Sequence, residues 1–289
     1  MTIKYLVLSG GSYNGLKMFG ALKHLHENGC YDINNIEKIY ATSVGSIIAV
    51  LLALNIPMDN IQDYIIRKPW NKVFNFTADM LFGMITEKGI VDKRFLNEIL
   101  EILFKTADID INSTMLEFYN KTSIELHFYS THVSSFELKD LSYITYPELN
   151  IIDAVYMSCS IPFIIQPIYF NDSFMIDGAV LCNFPLSFCC DNVKNKNEIL
   201  AINLINGDKG NTKIDKETNL LKYGHFLFDK LVIYSNKQKY GNVTIKHILN
   251  IICENSNMTY GYKLLDEPEA REKIINQGIE FGKLFLEKL

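Results

Sequence analysis

The sequence lacks any hydrophobic segment long enough to cross a membrane. Its longest mostly apolar run covers residues 44–54, whereas a membrane-spanning helix needs about 20 apolar residues. The chain also begins without the charged and then apolar segments of a secretory signal peptide, because residues 1–4 lead directly into an apolar strand. We therefore expect a soluble intracellular protein located in the cytoplasm.

The sequence also lacks an excess of positive charge. Its 28 lysine and arginine residues are outnumbered by 33 aspartate and glutamate residues, which gives a net charge of -5. Domains that bind nucleic acids usually carry a basic surface, because phosphate contacts supply much of their affinity. We therefore expect no nucleic-acid partner.

Cysteine patterns that would bind a metal are absent as well. The cysteines form no Cys-x-x-Cys pair, and their spacing matches no zinc site. In an intracellular protein such cysteines are typically reduced and buried. We expect this for all six, and we expect no metal: Cys30, Cys159, Cys182, Cys189, Cys190 and Cys253.

Internal repeats, low-complexity segments and a clear linker are likewise missing. The composition is that of an ordinary globular protein, with 48% hydrophobic and 21% charged residues. A chain of 289 residues is long enough to bury a large core. We predict a single domain over residues 1–289.

The order of the apolar segments predicts a parallel sheet. An apolar run at residues 4–8 indicates a strand that is buried on both faces, and apolar residues then recur at helical spacing up to Gly29. A second strand at residues 36–41 is followed by a helix at residues 44–54. This βαβα order is typical of a mostly parallel sheet with helices on its faces.

The rest of the chain mixes helices and strands. Apolar periodicity and turn residues predict a surface loop at residues 206–218 and a mostly helical part at residues 207–289. The other predicted elements are helices at residues 58–67, 93–104, 114–120, 150–158 and 267–289, and strands at residues 125–132, 174–176 and 199–204.

Ser43 is a candidate nucleophile. It lies between the second strand and the following helix, in Ala41-Thr42-Ser43-Val44-Gly45. A tight turn between strand and helix exposes a serine hydroxyl and places it at the positive end of the helix dipole, and such a turn needs small neighbours such as Gly45. Alternatively, Ser43 caps the helix.

Gly10, Gly11 and Ser12 are candidates for an oxyanion hole. They follow the first strand, at the same sheet edge as Ser43. A P-loop is excluded because no Gly-Lys-Ser/Thr follows, and the spacing is not that of a dinucleotide site. Backbone N–H groups in this turn could therefore hold an oxyanion. Alternatively, the segment is an ordinary tight turn.

Asp177 is a candidate general base. It ends a short strand and precedes Gly178-Ala179, where glycine permits a sharp turn towards the sheet edge. Alternatively, it forms an Asx-turn. None of the six histidines lies in an evident strand-end motif, although a Ser–His–Asp triad that uses one of them remains a weaker alternative.

Together these motifs resemble the patatin-like phospholipases, relatives of the catalytic domain of cytosolic phospholipase A2. The matching segments span about residues 4–206. The family patterns are a glycine-rich loop, a Gly-x-Ser-x-Gly elbow and an Asp-Gly-Gly/Ala motif. Here these are residues 10–15, 41–45 and 177–179, with similar stretches at residues 158–163 and 183–185.

The resemblance implies a three-layer α/β/α sandwich and hydrolysis of lipid acyl esters without a cofactor or metal. It implies that Ser43 is the nucleophile, that Asp177 is the base and later activates water, and that Gly10, Gly11 and Ser12 hold the oxyanion. The supporting motif residues are Asn14, Gly15, Gly45 and Gly178. The implied substrate is a lipid or phospholipid, which requires peripheral contact with a membrane.

The chain departs from the family pattern at three positions. Ala41 and Ser12 stand where the family has glycine, and Asn14 stands where it has a basic residue. These departures motivate an alternative function, a lipid-binding or regulatory protein with little or no activity. For membrane contact, we expect the aromatic and methionine-rich residues 74–85 to form a lid or a membrane-facing segment.

Overall fold

The computed structural model describes residues 2–73, 86–207, 214–239, 244–253 and 258–289. Its strands are β1 (Tyr5–Leu8), β2 (Lys38–Thr42), β3 (Glu125–His132), β4 (Glu137–Leu141), β5 (Ile168–Phe170), β6 (Ser173–Asp177), β7 (Ile199–Asn206) and β8 (His247–Cys253). Its α-helices are α1 (Gly15–Glu27), α2 (Val44–Ala53), α3 (Met58–Arg67), α4 (Trp70–Val73), α5 (Arg94–Thr106), α6 (Met115–Thr122), α7 (Ile151–Cys159), α8 (Ala179–Cys182), α9 (Leu186–Asn192), α10 (Leu220–Lys239), α11 (Met258–Asp266) and α12 (Pro268–Leu286).

All strands of the described residues belong to one mixed sheet. The order is β5-β6-β3-β2-β1-β7-β8, and β4 also pairs with β3. In this order, the neighbouring strands β3, β2, β1, β7 and β8 pair in parallel. The strands β4, β5 and β6 pair antiparallel at the other edge. The parallel pairing follows from the helical crossovers that join these strands.

Alternating side chains of the central strands face two different cores. Leu6 and Leu8 of β1 lie in the larger core, with residues from α1, α2, α5, α6, α7 and α12. Val7 of β1 faces the opposite side, where Tyr40 of β2 and Cys189 of α9 also lie. Helices therefore cover both faces of the sheet, and the three-layer α/β/α prediction is confirmed.

Most predicted elements are confirmed within a few residues. Both early strand–helix units and the long C-terminal helix are present, and the strand at Glu125–His132 has the predicted bounds. Two features of the sheet were not predicted from the sequence. The C-terminal part contributes β8, which pairs in parallel with β7. The strand that ends at Asp177 is antiparallel to β3, so one side of the sheet is not parallel.

Candidate active site

Ser43 occupies a sharp turn between β2 and α2. Its backbone angles are φ 55° and ψ −129°, a combination that is rare for residues with a side chain and is typical of a strained nucleophile turn. The first helical residue is Val44, so Ser43 takes the N-cap position, but its side chain makes no capping hydrogen bond. The hydroxyl is therefore available for another partner.

That partner is the carboxylate of Asp177. The Ser43 hydroxyl donates a hydrogen bond to Asp177 Oδ2 at 2.6 Å, and Asp177 Oδ1 accepts one from the Ala179 N–H at 2.8 Å. Antiparallel pairing places Asp177 opposite Ser130 of β3, next to β2 in the sheet. Two residues that are 134 positions apart in the sequence are thus in direct contact.

The environment of Asp177 makes it a stronger base than an exposed aspartate. The residue is 1% exposed. Burial raises its pKa from 3.8 to about 7, although the hydrogen bonds from Ser43 and Ala179 oppose part of this increase. A carboxylate with a pKa near the working pH is well suited to accept a proton from a reacting group. The dyad therefore has the pKa as well as the geometry for general base chemistry.

Ser158 holds the backbone of the turn in place. Its hydroxyl accepts a hydrogen bond from the Ser43 N–H at 2.9 Å and donates one to the Tyr129 carbonyl at 2.8 Å. These contacts connect the turn to α7 and β3. No role for Ser158 was evident from the sequence, where its only signal was a place in the stretch 158–163 that resembles the family.

Gly10 lies against Ser43, but its N–H group is already occupied. A Cβ atom at Gly10 would lie 3.0 Å from the Ser43 Cβ and 2.4 Å from Asn183 Oδ1, so only glycine fits without a shift. The Gly10 N–H donates to the Asn183 carbonyl at 3.0 Å. It is therefore not free to hold an oxyanion in this arrangement, in contrast to the expectation from the sequence. The role of Asn183 as the partner of this loop was not evident from the sequence either, although Asn183 lies in the stretch 183–185.

The N–H groups of Gly11 and Ser12 differ from that of Gly10. Among the described residues, no hydrogen bond engages the N–H group of either residue. Ser12 has a φ of 52°, in the left-handed region. The Ser9 hydroxyl donates to the Gly10 carbonyl at 3.1 Å and accepts from the Leu204 N–H at 2.8 Å, which ties the loop to β7.

The four supporting residues have different surroundings. Gly178 follows Asp177, and a Cβ atom there would lie 2.2 Å from the Tyr129 carbonyl oxygen. Gly15 is the first residue of α1, and Gly45 is the second residue of α2. Asn14 is buried, and its Oδ1 atom has no partner among the described residues. It lines a cavity of about 620 Å³ together with residues of α12, such as Gln277.

The histidines whose side chains are described have partners or positions away from the dyad. His127 donates to or accepts from Asp140 at 2.8 Å and Glu125 at 2.7 Å, and it stacks on Tyr40. Burial alone would lower its pKa, but the contacts with Asp140 and Glu125 outweigh this effect and raise it to about 9. No hydrogen bond joins His24, His26, His132 or His247 to the dyad in the described residues. The side chain of His225 lies outside them.

The remaining expectations from the sequence concern the cysteines, metal binding and membrane contact. The six cysteines are buried, and none of them forms a disulfide within the described part of the chain. Within the described ranges, no group of three metal-binding side chains could hold an ion, and no helix combines the length and apolar character needed to span a bilayer. The expected lid or membrane-facing segment, residues 74–85, lies outside the described residues.

Comparison with known proteins agrees with the site motifs. A model of the patatin-like phospholipase family matches residues 6–189. A protein of Invertebrate iridescent virus 6 named "Probable lipid hydrolase 463L" is 30% identical over 197 residues, which are 67% of this chain and 66% of that protein. An uncharacterized protein of Acanthamoeba polyphaga mimivirus, R571, is 28% identical over 211 residues, 73% of this chain and 69% of that protein. The matches thus span about two-thirds of the length of these relatives.

A solved structure supports the same fold. The structure of VipD from Legionella pneumophila matches 99% of this chain and 67% of its own, with a TM-score of 0.55 and 18% sequence identity. The family model covers more than half of the chain and includes Ser43 and Asp177. The chain therefore belongs to the patatin-like phospholipase family.

Proposed function

We propose that this protein is a serine acyl hydrolase that cleaves ester bonds of lipids, in the manner of a phospholipase A. The observation that carries the proposal is the 2.6 Å hydrogen bond from the Ser43 hydroxyl to the buried Asp177 carboxylate. Membership of the patatin-like family and the similarity to a viral protein named as a lipid hydrolase support the choice of a lipid ester as substrate.

In the first half of the reaction, Ser43 forms an acyl-enzyme. Asp177 Oδ2 accepts the hydroxyl proton while Ser43 Oγ attacks the ester carbonyl carbon, which moves the carbonyl electrons onto oxygen. The tetrahedral intermediate then collapses, the bond to the leaving alcohol breaks, and Asp177 returns the proton to that alcohol. A serine hydroxyl is a weak nucleophile unless a base removes its proton, which is why the contact at 2.6 Å matters.

In the second half, water releases the acyl group. The Asp177 carboxylate takes a proton from a water molecule as the water oxygen attacks the acyl carbon. Collapse of the second intermediate breaks the bond to Ser43 Oγ, and Asp177 returns the proton to the serine. The products are a carboxylic acid and the free enzyme. Every step uses side chains, backbone groups and water, so we propose no cofactor and no metal.

The N–H groups of Gly11 and Ser12 are the proposed oxyanion donors. Gly10 instead shapes the site, because its N–H is bonded to Asn183 and its lack of a side chain leaves room for Ser43. Loss of one oxyanion donor typically costs about 3 kcal/mol of transition-state stabilisation. We therefore expect each of the two donors to contribute about this much to the stabilisation of both tetrahedral intermediates.

The test is hydrolysis of a soluble chromogenic acyl ester by purified variants. We expect Ser43→Ala and Asp177→Asn to lose activity while their circular dichroism spectra match the wild type. Ser142→Ala is the matched control, because Ser142 is buried and bonds within its own turn to Thr145. Activity retained in Ser43→Ala would refute the proposal. Mass spectrometry of products from mixed phospholipid vesicles then identifies the bond that is cleaved.

A further inference from the structure

Helix α10 exposes an unusual stripe of large apolar side chains. Five residues along it are between 45% and 70% exposed: Leu220, Tyr223, Leu227, Leu231 and Tyr234. They follow one another at intervals of three and four residues, which places them on one face of an α-helix. A helix that connects two parallel strands, as α10 connects β7 and β8, would normally bury such a stripe against the sheet.

The same helix carries local positive charge in an acidic protein. Its sequence contains four lysines and one aspartate, a formal charge of +3 with histidine neutral, whereas the whole chain carries -5. Lys222 and Lys230 are exposed. The Lys230 ammonium group lies 5.2 Å from the centre of the Phe226 ring. Exposed apolar residues combined with lysines are characteristic of helices that lie in the interface of a membrane.

The position of α10 places this stripe beside the proposed catalytic residues. The helix packs against α8, which begins two residues after Asp177. A Cβ atom at Gly224 of α10 would lie 3.6 Å from the ring of Phe163, which is itself 58% exposed. Phe163 lies three residues after Ser160 in the sequence. The Ser160 carbonyl accepts a hydrogen bond from the Asp177 N–H at 2.9 Å, which connects this segment to Asp177. The exposed apolar surface therefore borders the edge of the sheet that carries the dyad.

We propose that α10 is a membrane-docking helix that inserts its apolar stripe into the interface of a bilayer containing anionic lipids. This inference rests on the proposed function. Docking by α10 would bring Ser43 and Asp177 to the membrane surface, where lipid esters lie. Apolar burial supplies the contact, and the lysines of α10 add attraction to anionic headgroups. A second copy of the chain fits less well, because a two-fold contact would bring two positively charged helices together.

The test is flotation of the full chain with vesicles, in the Ser43→Ala background so that the lipids are not degraded. We expect binding to vesicles of phosphatidylcholine and phosphatidylserine, and weaker binding to phosphatidylcholine alone. Leu227→Ser with Leu231→Ser should reduce binding at least tenfold. The control is Ile102→Ser with Ile144→Ser, which also removes two exposed apolar side chains (47% and 60%) outside α10. Lys222→Gln with Lys230→Gln should reduce only the preference for phosphatidylserine.

Several outcomes would overturn the proposal. These are absence of vesicle binding in the Ser43→Ala protein, or equal losses in the α10 pair and the control pair. A dimer in solution that the α10 pair dissociates, without vesicle binding, would identify the stripe as an interface between copies. The soluble ester separates this inference from the proposed function, because the α10 pair should keep full activity towards it. Failure of the dyad would instead appear as activity in Ser43→Ala, whatever the flotation result.

Discussion

Replacement of Asp177 by asparagine should make the protein more stable while it abolishes catalysis. The carboxylate is almost completely buried, and burial raises its pKa from 3.8 to about 7. The folded protein is therefore more stable when the Asp177 carboxyl is protonated than when it is charged. Asparagine has nearly the same shape, carries no charge, and can still accept the hydrogen bond that the Ala179 N–H now donates to Asp177.

The size of the effect depends on pH in a defined direction. Because the pKa in the folded state is higher than in the unfolded chain, the stabilising effect of the protonated carboxyl is complete below pH 3.8 and is lost as the pH rises through about 7. A difference of about three pH units, at about 1.4 kcal/mol per unit, corresponds to about 4 kcal/mol. Asp177→Asn should thus be about as stable as the wild type near pH 4 and about 4 kcal/mol more stable at pH 8.

Urea unfolding at a series of pH values measures this difference. The midpoint of Asp177→Asn should move to higher urea concentration relative to the wild type as the pH rises, at an unchanged slope. Asp172→Asn is the matched control, because it makes the same chemical change at an exposed turn, and its midpoint should stay close to that of the wild type. A pH-independent difference, or a less stable Asp177→Asn protein at pH 8, would refute a carboxylate with a raised pKa.

Three further measurements test the roles of Asp177, Ser158 and His127. The kcat/KM for a soluble ester should rise about tenfold per pH unit up to about pH 7 and then level off, because Asp177 must be ionised to accept the proton. Ser158→Ala should lower the free energy of unfolding by about 1–3 kcal/mol, as measured in urea, and reduce kcat, because it leaves the buried Ser43 N–H without an acceptor. His127→Gln should cost about 3 kcal/mol of stability at pH 6, because the folded state raises the His127 pKa from 6.5 to about 9. This cost should disappear as the pH rises through 9, and turnover of the soluble ester should be unchanged at either pH.

Each of these predictions has a contradicting result. A pH profile that is flat between pH 5 and 7 would remove Asp177 as the titrating base. Full activity and wild-type stability in Ser158→Ala would show that the bond to the Ser43 N–H is dispensable. Loss of ester turnover in folded His127→Gln protein would revive the histidine-dependent mechanism, although both ring nitrogens of His127 are bonded to carboxylates.

The local part of the fold was predictable from the sequence. In the strand–turn–helix units around Gly10 and Ser43, the spacing of the apolar residues indicates which segment is a strand and which is a helix. The order of these elements predicts the parallel pairing of β1 and β2. The strand β8 was not predicted. Its positions alternate between buried and less buried, but Ile252 on the exposed side is as apolar as the buried Ile251, so the sequence shows no alternation of apolar and polar residues. The strand is instead held by its pairing with β7.

The sequence indicated candidate residues for the site but not the contacts that connect them. Ordered motifs indicated Ser43 and Asp177, yet their contact depends on the antiparallel register that sets Asp177 opposite Ser130. The bond from the Gly10 N–H to Asn183, which changes the proposed oxyanion donors, joins segments that are 173 residues apart. Ser158 reaches Ser43 across a similar distance in sequence, 115 residues. Such contacts arise only when the sheet and its helices have assembled.

The most direct test of the central claim is labelling by a fluorophosphonate probe, which reacts with activated serine hydroxyls. We expect one modified peptide in the wild-type protein, with the label located on Ser43 by tandem mass spectrometry. Labelling should be absent in Ser43→Ala and strongly reduced in Asp177→Asn, while Ser142→Ala labels like the wild type. An unlabelled Ser43 in folded protein would contradict the account and favour a lipid-binding protein without turnover, as the departures at Ser12 and Asn14 suggest.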